Sequence, residues 1–315
     1  MGLLALPLLC LLHIIYFLVI LARSIRQLIF KPKDPLPLNA PRRQIPKHLS
    51  ILFIPDSDID IRTTEQCILE SLENVIGWCQ QLGIERLSVY DNEGILLQNS
   101  RVIQEYFETE REPTKKETKL IDMVYPITPP ASRPLSPELN CTPSVVKLQV
   151  PPSRLEQKRL SSHHSASRGK SEGTTTLYIL SKDSSKSNIA SVATSLAWQE
   201  YMRSKADRNS CKLSIQQFES IIEGSNGFPA TDFMMVHPLN PSKYNRSPLE
   251  LHGFPPWQMR LTEIYHNRSR RYYRARLIWL LPSHIKSSLL ASTLTEKEFR
   301  SALDHFSGVE MRVGK

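Results

Sequence analysis

Apolar residues fall along this chain in two alternating rhythms. Short runs at Leu49–Ile54, Arg86–Asp91, Thr176–Leu180 and Asp232–His237 have the length and composition of buried strands. Between the first two, Ile68, Leu72, Val75, Ile76 and Cys79 recur at helical spacing. Thr63 and Gln66 fit a capping box ahead of that helix, and Gly83 suits its C-terminal cap. Asn92-Glu93-Gly94 turns out of the second strand towards a helix marked by Val102, Ile103, Tyr106 and Phe107. Ile189, Val192, Ala193, Leu196 and Ala197 predict another helix. Ser214 and Gln217 repeat the capping-box signature before Phe218, Ile221 and Ile222. Gln258–Ile264 reads as a late strand. Thr295 and Glu298 then open a final helix, with Phe299, Ala302, Leu303 and Phe306 inward and Gly308 at its end. Strands alternating with helices predict an α/β sheet with helices on both faces.

Residues 3–22 follow neither rhythm. They form an almost unbroken apolar run, interrupted by Pro7 and His13, in which fourteen residues are Leu, Ile, Phe or Val. As a helix the run is about 30 Å long, enough to cross a bilayer core. Fourteen such residues at roughly 0.3–0.6 kcal/mol each favour insertion by more than one neutral histidine costs. The run exceeds the usual core of a cleaved signal, has no basic residue before it, and lacks a small-x-small cleavage site. Residues 1–25 are therefore expected to be a retained transmembrane helix. Arg23, Arg26, Lys31, Lys33, Arg42, Arg43 and Lys47 all follow it, which places the remainder in the cytosol. The sequons at Asn140, Asn245 and Asn267 would then stay unglycosylated.

Composition sets the boundaries of the rest. The chain has 315 residues and 23 prolines against 11 glycines, and the prolines cluster. Pro32, Pro35, Pro37, Pro41 and Pro46 make residues 26–47 an extended tether. A domain over 48–315 follows, interrupted at about 113–174 by a stretch rich in Pro, Ser, Thr and Lys. Such a stretch buries too little apolar surface to offset its ordering entropy, so a disordered insertion is expected there, with a short strand at 145–150.

The formal net charge of +9 raises the question of nucleic acid. Much of the excess sits in one stretch, Arg268, Arg270, Arg271, Arg274 and Arg276, which reads as solvated surface, so no nucleic-acid partner is expected. Five scattered cysteines with no C-x-x-C pair signal neither a zinc site nor a disulfide framework, and they favour a reducing compartment. There is no G-x-G-x-x-G, no phosphate-binding P-loop and no nucleophile elbow.

Three segments carry a resemblance. They are Gly83-Ile84-Glu85-Arg86-Leu87-Ser88-Val89-Tyr90-Asp91-Asn92-Glu93-Gly94, then Gly253-Phe254-Pro255-Pro256-Trp257 continuing to Arg260-Leu261-Thr262-Glu263-Ile264, and Leu281-Pro282-Ser283-His284-Ile285 with the end at Arg312-Val313-Gly314-Lys315. Together they resemble the Nogo-B receptor family, the non-catalytic subunits of eukaryotic cis-prenyltransferase (the dehydrodolichyl diphosphate synthase complex). The likeness covers roughly 49–110 and 176–315 as well as the amino-terminal anchor. It implies an undecaprenyl-diphosphate-synthase-like fold, a mostly parallel central sheet wrapped by helices. It also implies a single-pass protein of the endoplasmic reticulum membrane, its domain facing the cytosol. The implied reaction is repeated addition of isopentenyl diphosphate to an allylic prenyl diphosphate, making the precursor of dolichol for protein glycosylation.

Departures from the catalytic relatives divide the labour. Where those enzymes carry Asp-Gly-Asn-Arg-Arg, this chain reads Ile54-Pro55-Asp56-Ser57-Asp58-Ile59-Asp60, without the glycine and paired arginines. Asp56 is read as a loop aspartate capping the following turn. The diphosphate-gripping Arg-x-x-Gly-Glu is likewise replaced, by His237-Pro238-Leu239-Asn240, and Tyr265–Leu280 stands as an insertion. No catalytic residue and no metal ligand is therefore expected on this chain alone, and Mg²⁺ would be held mainly by a catalytic partner and the substrate diphosphate. By the resemblance, Arg312 and Gly314 would bind substrate diphosphate in trans, while Phe254, Trp257 and Leu261 would form the heteromer interface. The alternative from another class is a membrane-anchored receptor or adaptor with a degenerate enzyme fold.

Overall fold

The computed structural model describes residues 11–12, 14–19, 34–109, 145–151, 174–202, 213–224, 227–244, 248–267 and 290–310. The chain divides into two units, Met1–Leu36 and Pro37–Lys315. In the first, Leu11, Leu12 and residues 14–19 are helical with their apolar side chains exposed. The rest of the 3–22 run lies outside the described residues, and among those described no helix is long and apolar enough to cross a membrane.

The second unit is built on six strands: β1 (His48–Ile54), β2 (Arg86–Asp91), β3 (Val145–Val150), β4 (Thr175–Leu180), β5 (Phe233–Pro238) and β6 (Glu263–His266). Their order is β3-β4-β2-β1-β5-β6. All pairings are parallel except β3 with β4, so the sheet is mostly parallel as expected. Hydrophobicity sorts the strands by position. Every residue of β1 and β5 is buried, as strands covered on both faces require. The edge strands β3 and β6 are only partly buried.

Successive side chains on these strands feed two separate cores. Leu49, Ile51 and Phe53 of β1 join Leu87, Val89, Ile179, Phe233 and Met235 on one face. That face packs against α1 (Ile61–Leu82) through Ile68, Leu72, Val75, Ile76 and Cys79. α2 (Ile95–Gln98) and α3 (Ser100–Thr109) add Leu96 and Ile103 there. On the other face Leu52, Ile54, Tyr90, Leu180, Met234 and Val236 meet Phe228 and Phe254, with Tyr244 of α6 (Pro241–Tyr244) packed against them. α4 (Lys186–Met202) and α5 (Ile215–Ile222) follow β4, and α7 (Glu296–Gly308) returns to the first face with Phe299, Ala302, Leu303 and Phe306.

Several local expectations change. α1 begins at Ile61 rather than near Thr63, because the Asp60 carboxylate accepts from the Arg62 N–H and caps the helix first. Its end matches the sequence: Gly83 has φ 71°, and the Gly83 and Ile84 N–H groups donate back to Gln80 and Cys79. The capping box at Ser214 and Gln217 forms in full. The strand expected at Gln258–Ile264 is instead a 3₁₀ turn at Trp257–Met259 followed by β6, since the edge pairing with β5 begins at Glu263. Tyr265 and His266, read as the start of an insertion, belong to β6. Residues 145–150 do form a strand, and the remainder of the expected disordered insertion lies outside the described residues apart from 151 and 174.

His48, the first residue of β1, ties the strand's amino end to its neighbours. Its Nδ1 is 2.8 Å from the Ala230 carbonyl oxygen and its Nε2 is 2.8 Å from the Ser88 hydroxyl. A carbonyl can only accept, so Nδ1 carries the proton and a neutral ring accepts from Ser88 at Nε2. Burial pushes the His48 imidazole down to about 4, against smaller upward pulls from Ala230 and Asp232. The folded state therefore refuses a proton that the unfolded state accepts below about pH 6.5. The stability this group contributes is complete above that pH and declines as pH falls towards 4, by about 3 kcal/mol in full. Urea midpoints measured from pH 7 to 4.5 should fall, and they should fall less steeply for His48→Gln. Equal slopes for the two proteins would refute this assignment.

Candidate functional site at the carboxyl end of the sheet

In an open parallel sheet, ligands bind in the crevice beyond the carboxyl ends of the strands, near where strand order reverses. Here β1 lies between β2 and β5. The crevice is bordered by the segments after these strands, namely residues 55–60, Asn92–Gly94 and Leu239–Asn240, with Asp91 and His237 at the strand ends.

The polar groups there serve the loops that carry them. Asp56 Oδ2 accepts from the Asn240 amide at 2.6 Å, bridging the ends of β1 and β5. Its Oδ1 accepts from the Asp58 N–H at 3.3 Å, and its carbonyl oxygen accepts from the Ile59 N–H at 3.0 Å. Asp56 thus caps its own turn, as the sequence indicated. Asp60 caps α1. Asp91 is fully buried and accepts from the N–H groups of Ile95 and Leu96 at 2.8 and 3.0 Å, opening α2. Burial pushes the Asp91 carboxyl above its ordinary value, while those backbone donors pull it partly back. His237 is fully buried too; its Nε2 is 2.9 Å from the Ser292 carbonyl oxygen, and its Nδ1 lies 3.6 Å from Glu298 at the start of α7.

These carboxylates do not fit a magnesium diphosphate site. Each accepts from donors of its own loop, Asp56 from Asn240 as well, and among the described residues no group of three or more His, Cys, Asp or Glu could hold a metal ion. On the helical face, a cavity of about 510 Å³ lies between α1 and α3. Its apolar lining includes Leu69, Leu72, Val102, Ile103 and Phe107, and Glu65, Glu70 and Glu73 add carboxylates.

The three residues expected at an interface separate. Phe254 is 3% exposed and packs edge-on to Tyr90 at 5.4 Å, inside the second core. The turn before it holds His252 at φ 45° and Gly253 at φ 80°, and the Tyr90 hydroxyl fastens it by donating to the His252 carbonyl oxygen at 2.7 Å. Phe254 is thus a core residue, because this turn drives its ring beneath the surface. Trp257 is half-buried between the Phe218 ring of α5, at 4.8 Å, and the Arg260 guanidinium, at 4.9 Å. Arg260 in turn pairs with Glu219 of α5 and with Glu223 just after it. Leu261 is 66% exposed. Leu213, Ile215 and Ile221, on and just before α5, are exposed as well. The helical spacing of Phe218, Ile221 and Ile222 was legible, but the exposure of Ile221 was not. Arg312 and Gly314 lie outside the described residues.

No model of a known protein family matches the chain. The dehydrodolichyl diphosphate synthase complex subunit Nus1 of Mus musculus is 23% identical over 276 residues, covering 87% of this chain and 67% of that protein.

The burial difference makes a direct expectation. Phe254→Ala should destabilise the domain by about 3–5 kcal/mol, the range for emptying an aromatic core position. Leu261→Ala should stay within roughly 0.5 kcal/mol, as surface substitutions do. Chemical denaturation of the two variants beside the wild type decides between core and surface.

Proposed function

We propose that the chain is a member of the Nus1 family and the non-catalytic, membrane-anchored subunit of a heteromeric cis-prenyltransferase making the polyprenyl diphosphate precursor of dolichol. The observation that carries this reading is the combination of likeness along most of the chain with a first loop whose carboxylates are engaged by Asn240 and by local backbone. A catalytic partner would hold Mg²⁺ and the allylic diphosphate. The apolar 3–22 run would anchor the chain in the endoplasmic reticulum membrane; the part of it described is helical and exposed, as contact with lipid favours. The cations after the run favour a cytosolic domain. Exposed Leu261 and the exposed Ile215 and Ile221 of α5 would offer apolar contacts to the partner, with Trp257 half-buried against Phe218.

Carbon–carbon bond formation in this reaction expels diphosphate, so its rate depends on stabilising concentrated negative charge. Arg312 supplies a permanently charged planar fork that can grip two phosphate oxygens at once. Gly314, without a side chain, lets backbone N–H groups approach the same anion.

The isolated chain should show no prenyl transfer with Mg²⁺ and both substrates, and the co-purified pair should show it. In that pair Arg312→Ala should cost about 1.5–3 kcal/mol, roughly ten- to a hundredfold in rate, with partner binding intact. Steady-state kinetics assign the loss to KM for isopentenyl diphosphate if the contact acts on bound substrate, or to kcat if it acts on charge developing during transfer. Wild-type activity from Arg312→Ala would favour a receptor or adaptor instead.

A further inference from the structure

Where proline content predicts an extended tether over 26–47, residues 37–44 form a strap on the end of α7. The strap opens with a turn in which the Ala40 N–H donates to the Pro37 carbonyl oxygen at 3.0 Å. Leu38 is buried in the main core. Arg42, its side chain fully buried, donates from Nε to Asp304 Oδ1 at 2.9 Å and from a terminal guanidinium nitrogen to the Leu38 carbonyl oxygen at 2.8 Å. The Arg43 N–H donates to the Ser307 hydroxyl at 3.1 Å. The Gln44 side-chain amide donates to the carbonyl oxygens of Phe306 and Val309, each at 2.8 Å. Pro46 is buried and the Lys47 N–H donates to Asp232, so the strap leads directly into the amino edge of the sheet.

Strap and helix each satisfy polar groups of the other. The last carbonyls of a helix have no partner within it, and a left-handed residue just beyond the end commonly supplies one. Val309 is extended instead, with φ −78° and ψ 137°. Its N–H reaches the Phe306 carbonyl oxygen, and Gln44 adds the side-chain donors. In the other direction, a buried guanidinium is costly without a carboxylate, and Asp304 provides one from the helix. Lifting either part therefore strips polar groups on both. Phe306, its ring 5.0 Å from that of Phe233, is the core residue of the same turn.

We infer that residues 37–44 and the last turn of α7 form a two-part latch that opens and closes as one unit. Bonds spanning 262 to 265 residues of chain join the two parts, so opening one costs the contacts of both. The ladder of the sheet takes no part in these bonds, and local openings of this kind lie below global unfolding in free energy. The latch makes Pro37, rather than residue 48, the amino-terminal boundary of the domain. It also makes the end of α7 respond to any displacement of residues 37–44. It is independent of the roles proposed for Arg312 and Leu261.

Hydrogen exchange read by mass spectrometry on the full chain in detergent tests the latch from both sides. Gln44→Leu keeps the side chain's bulk and removes its donors; Asp304→Asn keeps the shape and removes the charge. Gln44→Leu should speed exchange across residues 304–309 by about five- to thirtyfold. It should speed the Ala40 amide, whose acceptor is Pro37, by a similar factor. Asp304→Asn, made on the helix, should likewise speed exchange at Ala40. Ser307→Ala carries the same expectation should Asp304→Asn fail to fold. β1 and β5 should exchange at wild-type rates in every variant. Acceleration confined to the substituted side would mean two independent contacts and would overturn the inference. Equal acceleration in β1 and β5 would make the strap part of global unfolding and overturn it as well, as would wild-type exchange throughout.

Discussion

Parallel pairing of β1 with β2 on one side and β5 on the other is the constraint on which this domain depends. A strand in that position is covered on both faces, so all seven of its residues are buried and its side chains feed two cores at once. Parallel neighbours also bring three strand ends together at each edge of the sheet. At the amino edge, Asp232 accepts from the Lys47 and His48 N–H groups, and His48 joins Ser88 to Ala230. At the carboxyl edge, Asp56 meets Asn240. Slipping β1 by one residue would exchange its two faces and break both edges together.

The carboxyl edge is where a fold of this kind holds ligands, and here its polar side chains have become structural. Asp56, Asp60 and Asp91 each satisfy backbone donors of the loop or helix that follows them. A carboxylate already accepting such bonds has less to offer an incoming cation. The proposed function accordingly assigns metal and allylic diphosphate to another chain.

α7 is held at both ends by groups distant in sequence. Near its start, His237 lies beside Glu298, with the Ser292 carbonyl oxygen within hydrogen-bond distance of its ring. At its end, Arg42, Arg43 and Gln44 engage Asp304, Ser307, Phe306 and Val309. Between these points Phe299, Ala302, Leu303 and Phe306 pack into the main core. Phe233 and Phe306 meet with ring centroids 5.0 Å apart, tying the helix to β5.

Strand positions, the helical faces of α1 and α7 and the left-handed cap at Gly83 were legible in the sequence, because each depends on spacing within one segment. The reading of Asp56 as a turn cap was local too, and it stands. Thr63 lost the α1 cap to Asp60 because two polar residues compete over a few positions, and only backbone geometry chooses between them. Phe254 was placed at an interface because aromatic content does not tell a buried ring from an exposed one. Its burial follows from the fold of the 252–254 turn onto Tyr90, a contact across 162 residues. Sequence by itself determined most of the strands and helices, since periodicity records the two faces of an element, but it read Gln258–Ile264 as one strand where a 3₁₀ turn precedes β6. Tertiary structure alone decided that the Asp56 carboxylate meets Asn240 and that Gln44 donates to the carbonyl oxygens of Phe306 and Val309, because side-chain partners are selected by proximity that the fold creates.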